Sequence, residues 1–219
     1  MSVWRQHLAG VETLFKFLAS KYRGTSNETI KYARSFITYH TSIASLTTDL
    51  SDGLDEVTDE ELGEDSSHLS SIDLYMGCSE SLFIPLRRVM RLRQMCDNGT
   101  LQIGHMRQEV ESILGVLCRR RWRLEYFSIP GDMPPTTSKS LQHVAQAFES
   151  CLLVCLHSII EDKLKTSHVD ESNRSWTDLS DMLPGSKEEA LQDCIREMDL
   201  VPMDGHVEAG LLPLLFVVA

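Results

Sequence analysis

The sequence predicts an all-α protein, an irregular bundle of about six to eight helices that forms a single domain over residues 1–219. Two observations favour this class, and a third indicates a folded core. Apolar residues recur every three to four positions over most of the chain, which is the spacing of one helix face. No segment of any length alternates apolar and polar residues as a half-buried strand would. Apolar residues make up 42 % of the chain, enough for a sizeable core in one domain.

Two helices are predicted before residue 49. The apolar stripe of the first consists of Val3, Trp4, Leu8, Val11, Phe15 and Leu18. Gly24 then ends this helix, because glycine readily adopts the left-handed conformation of a C-cap. Ser26 and Asn27 are capping residues for the second helix, which extends to about Thr48.

An acidic segment follows the second helix. Residues 49–65 include nine Asp and Glu and neither Lys nor Arg. Such a run repels itself and holds too few apolar side chains to offset the entropy of ordering, so residues 49–68 are expected to form a flexible loop. Its interleaved leucines are also typical of acidic interaction segments, and composition alone leaves both interpretations open.

Two more helices are predicted between residues 80 and 122. The first is compatible with Pro85 only near its first turn, because proline lacks the N–H that a helix interior needs. The turn at Asp97–Gly99 closes it. The apolar face of the second helix starts at Leu101, and this helix reaches about Trp122. The prolines and glycine of residues 126–135 indicate a loop.

The strongest helical pattern starts within residues 136–140. Its stripe consists of Leu141, Val144, Phe148, Cys151, Leu152, Cys155, Ile159 and Ile160, and Leu153, Val154 and Leu156 widen it. A helix that is apolar almost all round is buried, so this one is predicted to be the central helix of the domain.

The last third of the chain predicts two shorter elements and an apolar end. A polar stretch over 161–174 precedes a short segment that Pro184 and Gly185 terminate. Ser186 and Glu189 then form a capping box for a helix whose apolar face carries Leu191, Ile195 and Met198. Residues 211–219 are apolar, and we expect them either to dock into the bundle or to begin a further core helix.

Neither a membrane span nor a signal peptide is expected. The longest apolar run is residues 211–219, with Pro213 inside it, whereas a spanning helix needs roughly twenty residues. Charged residues interrupt the first 19 positions, where a signal peptide would need an apolar stretch. The chain is therefore expected to be soluble and intracellular.

The residues that could carry chemistry form no catalytic motif. The six cysteines are Cys78, Cys96, Cys118, Cys151, Cys155 and Cys194, and the eight histidines are His7, His40, His68, His105, His143, His157, His168 and His206. They form no C-x-x-C pair and no pair of histidines three or four apart, and phosphate loops, G-x-S-x-G and H-E-x-x-H are absent. The sequence predicts buried free thiols and a non-enzyme. No catalytic, cofactor-binding or metal-ligating residue is assigned, and no cofactor is expected.

Two arginine clusters stand out from the acidic background. The first comprises Arg87, Arg88, Arg91 and Arg93, and the second surrounds Trp122 with Arg119, Arg120, Arg121 and Arg123. Arginines beside an aromatic ring can contact nucleic acid, but they also suit helix ends or intramolecular acidic partners. The chain has 21 Lys and Arg against 32 Asp and Glu, a net charge of −11, which favours the structural role.

Four motifs occur in order along the chain. Residues 4–10 read Trp-Arg-x-His-Leu-x-Gly, and residues 36–40, Phe-Ile-Thr-Tyr-His, precede Ile-Ala-Ser at 43–45. Asp73 and Gly77-Cys-Ser precede a leucine-rich helix, and Leu-Pro-Leu-Leu-Phe follows at 212–216. Together they resemble the all-helical regulatory region of fungal zinc-cluster transcription factors, the fungal-specific transcription factor domain.

The resemblance implies a transcription regulator in the nucleus, or in the cytoplasm, that modulates a metabolic or secondary-metabolite pathway. In that family the region follows a six-cysteine zinc cluster that binds DNA, and these 219 residues do not include that cluster. The chain therefore resembles the middle of such a protein, incomplete at both ends. It is expected to act through protein partners, such as transcription machinery or a zinc-cluster factor, or through a small effector, and not by binding DNA or a membrane itself.

Two other interpretations remain open. One is a helical ligand-binding protein or enzyme with a pocket between the central helix, at Phe148, Cys151 and Cys155, and the second helix, at Tyr39 and His40. The other is a degenerate fragment without function. A pocket with convergent polar groups of shifted pKa would favour the enzyme, and an apolar groove the regulator.

Overall fold

The computed structural model describes residues 80–122, 134–166 and 170–202, together with Gly10, Val11, Thr13, Leu14, Phe17 and His40. Its regular structure in these ranges is entirely helical, which confirms the all-α prediction. The described ranges hold five helices: α1 (Glu80–Asp97), α2 (Ile103–Trp122), α3 (Pro135–Thr166), α4 (Asp170–Ser180) and α5 (Lys187–Asp199). These five do not confirm the predicted total of six to eight.

Several predicted elements lie outside the described residues. They are the acidic loop 49–68, the loop 126–133, the apolar segment 211–219 and, except for the six single positions named above, both helices before residue 49. Of these positions Val11 was predicted to lie on the apolar stripe of the first helix, and it is 38 % exposed.

The long helix α3 is the centre of the fold, as predicted. Sixteen of its 32 residues are buried, and α1, α4 and α5 all pack against it. The helix α2 packs against α1 and α4. Because α3 is enclosed by several partners, its apolar residues extend round the whole helix instead of forming one stripe.

The α1–α2 corner follows the predicted signals. Leu82, Leu86, Val89 and Leu92 form the buried stripe of α1. At its end Gly99 has φ +69°, and the N–H groups of Gly99 and Thr100 donate to the carbonyls of Cys96 and Met95. Pro85 is the sixth residue of α1, later than predicted, so the second turn forgoes one backbone hydrogen bond.

The start of α5 is fixed by the predicted capping box. The Glu189 N–H donates to Ser186 Oγ at 3.1 Å, and the Ser186 N–H donates to Glu189 Oε2 at 2.8 Å. The acidic side chains in this first turn also favour the positive end of the helix dipole. The predicted apolar face is wrong at one position, because Ala190 and Cys194 are buried whereas Ile195 is 47 % exposed.

Among the described helices, one is long and apolar enough to span a membrane. By length and composition α3 could cross a membrane, but 78 % of its apolar window is buried inside the protein. That burial is what the central helix of a bundle shows.

Gly185 is expected to tolerate no side chain. Its φ is +67°, and a Cβ there would lie 2.8 Å from the Glu189 oxygen that caps α5. Gly185→Ala should therefore lower the free energy of unfolding by about 1–2 kcal/mol, through backbone strain and a disturbed cap. Chemical denaturation measures this change.

Gly104 is the matched control. It lies in α2, and a Cβ there would meet nothing within 4 Å. Gly104→Ala should stabilise the protein by about 0.4–1 kcal/mol. Equal effects of the two substitutions would contradict the assigned role of Gly185.

Candidate functional site

Three cysteines meet where α3 packs against α5. Cys151 and Cys155 lie one turn apart on α3, and Cys194 of α5 is near enough for the thiols to influence each other's pKa. The Cys194 Sγ lies 3.9 Å from the Sδ of Met198. Cys151 and Cys194 are buried and Cys155 is half-buried. We call Cys151, Cys155 and Cys194 the thiol cluster.

One hydrogen bond and one ion pair set the register of α5 on α3. His143 Nδ1 lies 2.8 Å from Glu197 Oε2, and the two side chains are only 15 % and 12 % exposed. Lys187 Nζ lies 3.1 Å from Glu161 Oε2 at the other end. The contact nearer the start of α3 is made by the end of α5, and the contact nearer the end of α3 is made by the start of α5. The two helices are therefore antiparallel. The thiol cluster lies between the two pairs.

Two thiols of the cluster, those of Cys151 and Cys194, are held in their neutral form. The hydrogen bond with Cys155, followed by burial, raises the pKa of the Cys151 thiol well above its ordinary value of 9.0. Burial raises the pKa of Cys194 to about 11. Neutral thiols are poor nucleophiles and poor metal ligands. In the folded protein the side chains of Cys151 and Cys194 therefore pack as apolar surface.

The raised thiol pKa values predict a loss of stability in alkaline solution. The Cys194 thiol ionises near its ordinary 9.0 in the unfolded chain and near 11 in the fold. Its contribution to stability is therefore complete below pH 9 and is lost as the pH rises from 9 to about 11. Denaturation with guanidinium at several alkaline pH values should show this decline.

Two cysteine variants isolate the cause of that decline. Cys194→Ala should make the free energy of unfolding less dependent on pH in this range. Cys118→Ala, which removes an exposed thiol of α2, is the matched control. An unchanged slope in the Cys194 variant would contradict the assignment.

The buried-thiol prediction is correct for part of the set. Cys151 and Cys194 are buried, Cys96 and Cys155 are half-buried, and Cys118 is exposed. Burial raises the pKa of the Cys96 thiol as well. Cys78 lies outside the described residues. Within the described ranges no group of three or more His, Cys, Asp or Glu could hold a metal ion.

The walls proposed for a pocket between helices are only partly described. Phe148 and Cys151 are fully buried in the core, which leaves them no surface for a ligand. Burial lowers the pKa of His40, which is half-buried. Tyr39 lies outside the described residues.

A buried polar face of α3 was not recognised in the sequence. Ser150 and His157 lie two turns apart and are 7 % and 5 % exposed. The Nε2 of His157 is buried without a hydrogen-bond partner. The sequence shows only that Ser150 and His157 lie on a helix that is otherwise apolar. It does not show that the two side chains are buried, or that the Nε2 of His157 lacks a hydrogen-bond partner.

Two members of the first arginine cluster, Arg88 and Arg93, bind acidic or polar groups of this chain. Arg88 Nη1 donates to Ser112 Oγ at 2.8 Å and lies 3.9 Å from Glu109 Oε2. Arg93 pairs with Asp162 of α3 at 2.8 Å and with Asp97 at 3.4 Å. These contacts support the structural role. The side chains of Arg119–Arg123 lie outside the described part of the chain.

The comparison with known families gives one finding. The family model described as "Fungal specific transcription factor domain" matches residues 1–219. No curated protein and no solved structure matches the chain significantly.

Proposed function

The chain belongs to the family of fungal specific transcription factor domains, and from this membership we propose that it is a single regulatory domain that modulates transcription by binding other proteins. The proposed partners are transcription machinery or a DNA-binding zinc-cluster factor. The proposed place of action is the nucleus, and the proposed target is a metabolic or secondary-metabolite pathway. We propose no catalytic step for this chain.

The single observation that carries the proposal is the extent of the family match, which spans residues 1–219. The net charge supports a model in which a partner, and not this chain, contacts the DNA. A chain with net charge −11 is repelled by phosphate, and Arg88 and Arg93 are already paired with residues of their own domain.

The experiment tethers the full chain to a heterologous DNA-binding domain upstream of a reporter gene in a fungal cell. We expect reporter transcription to change relative to the DNA-binding domain alone. A variant without residues 49–65 tests whether the acidic segment contributes. Unchanged transcription with a folded, nuclear fusion protein would overturn the proposal.

A small effector is the second candidate input, and the buried Nε2 of His157 favours it. An unpartnered polar atom in a core costs stability, so an effector that reaches this nitrogen when the packing around α3 opens would gain a hydrogen bond that the closed fold does not supply. The same reporter measures this input. An effector-dependent response that His157→Phe abolishes would support it, and a response that this variant retains would contradict it.

A further inference from the structure

One flank of α5 carries apolar side chains that α3 leaves partly uncovered. Ala190 and Cys194 are buried, whereas Ile195 is 47 % exposed and Leu191 and Met198 are half-buried. Residues three and four apart are neighbours on a helix surface, so Leu191, Ile195 and Met198 form one continuous strip. We call these three residues the α5 shoulder.

An uncharged apolar segment follows α5 closely in the sequence. Residues 211–218 contain four leucines, one phenylalanine and two valines, and they include no charged side chain. The described part ends at Pro202, so residues 203–210 connect it to this segment. Eight residues span up to about 26 Å. Leu191 lies only about 12 Å from the C-terminal end of α5, at 1.5 Å per residue.

We propose that residues 211–218 dock on the α5 shoulder of the same chain and shield Ile195 from water. The connecting residues are long enough to reach all of the shoulder, and Gly205 and Gly210 allow the chain to reverse direction. A short tether provides an effective concentration in the millimolar range, so a contact of low intrinsic affinity is sufficient.

The charges beside the shoulder favour this occupant over the acidic segment of the chain. Glu188 and Asp199 are exposed, and both lie on the same side of α5 as Ile195. They repel carboxylates such as those of residues 49–65 but not an uncharged segment. The inference goes beyond the proposed function and does not depend on it.

The test places a photo-crosslinking benzoylphenylalanine at position 195 of the full chain, with position 196 as the matched control. Arg196 lies on another face of α5, and its side chain is 62 % exposed. Irradiation should link position 195 to residues 211–218 of the same polypeptide, and position 196 should not form this link. A mixture of isotope-labelled and unlabelled chains identifies links between two copies.

Links from position 195 to the exposed apolar side chains Val11, Leu14 or Phe17, or to a second copy, would overturn the proposal. So would the absence of a link to residues 211–218. Thermal unfolding gives a second measurement, with the variants Ile195→Glu and Leu214→Glu. Each should lower Tm, and the double variant should lower it no further than the more harmful single one. Additive losses would contradict docking.

Discussion

Phe148→Ala is expected to lower the free energy of unfolding by about 3–5 kcal/mol. Phe148 is 1 % exposed and is among the largest fully buried side chains of the described core. It lies on α3, against which α1, α4 and α5 pack. A cavity at this position removes contacts to a helix that organises the bundle. Equilibrium denaturation in guanidinium measures the loss.

Phe17→Ala is the matched control, because it removes the same atoms from a side chain that is 62 % exposed. It should cost less than about 1 kcal/mol, as is usual for a surface substitution. Similar losses for the two variants would contradict the central position of Phe148.

His143→Ala is expected to lower the free energy of unfolding by about 2–3 kcal/mol. The substitution leaves the Glu197 carboxylate, which is 12 % exposed, without its contact at 2.8 Å. Arg196 Nη2 remains 3.4 Å from the other carboxylate oxygen, which limits the loss. Because this pair holds one end of α5 on α3, hydrogen exchange of α5 should also become faster.

Arg196→Ala measures the neighbouring exposed contacts separately. The guanidinium of Arg196 is 62 % exposed and pairs with Asp193 at 2.8 Å, and exposed pairs contribute about 0–1 kcal/mol. A double-mutant cycle with Glu197→Gln isolates the energy of the His143–Glu197 contact. A coupling energy near zero would contradict the role assigned to it.

The parts of the fold that depend on local signals were predictable. The capping box at Ser186 and Glu189 satisfies backbone groups within four residues of chain, so the sequence alone locates the start of α5. The burial of α3 was predictable as well, because apolar residues surround the helix and each needs a covering element.

The parts that depend on distant residues were not predictable. α3 continues to Thr166 through a polar stretch, and Asp162 in that stretch pairs with Arg93 of α1. Ile195 fits the periodic apolar face of α5, but α5 packs on α3 through a neighbouring face. Cys194 is therefore buried and Ile195 is exposed.

The same distinction holds for the candidate site. Cys151 and Cys155 share a helix face, and their spacing alone places them together. Cys194 joins them only because α5 runs antiparallel to α3, a register set by the pairs His143–Glu197 and Lys187–Glu161. The missing partner of His157 depends on everything packed around α3, and no local pattern encodes it.

Hydrogen exchange with peptide-resolved mass spectrometry tests the central claim that α3 organises the fold of this regulatory domain. The account predicts that amides between Val144 and Ile160 exchange last, at the rate of global unfolding, because this stretch is buried most completely. Amides of α4 and α5 should exchange earlier. Exchange of the Val144–Ile160 stretch as fast as that of α4 would contradict the account.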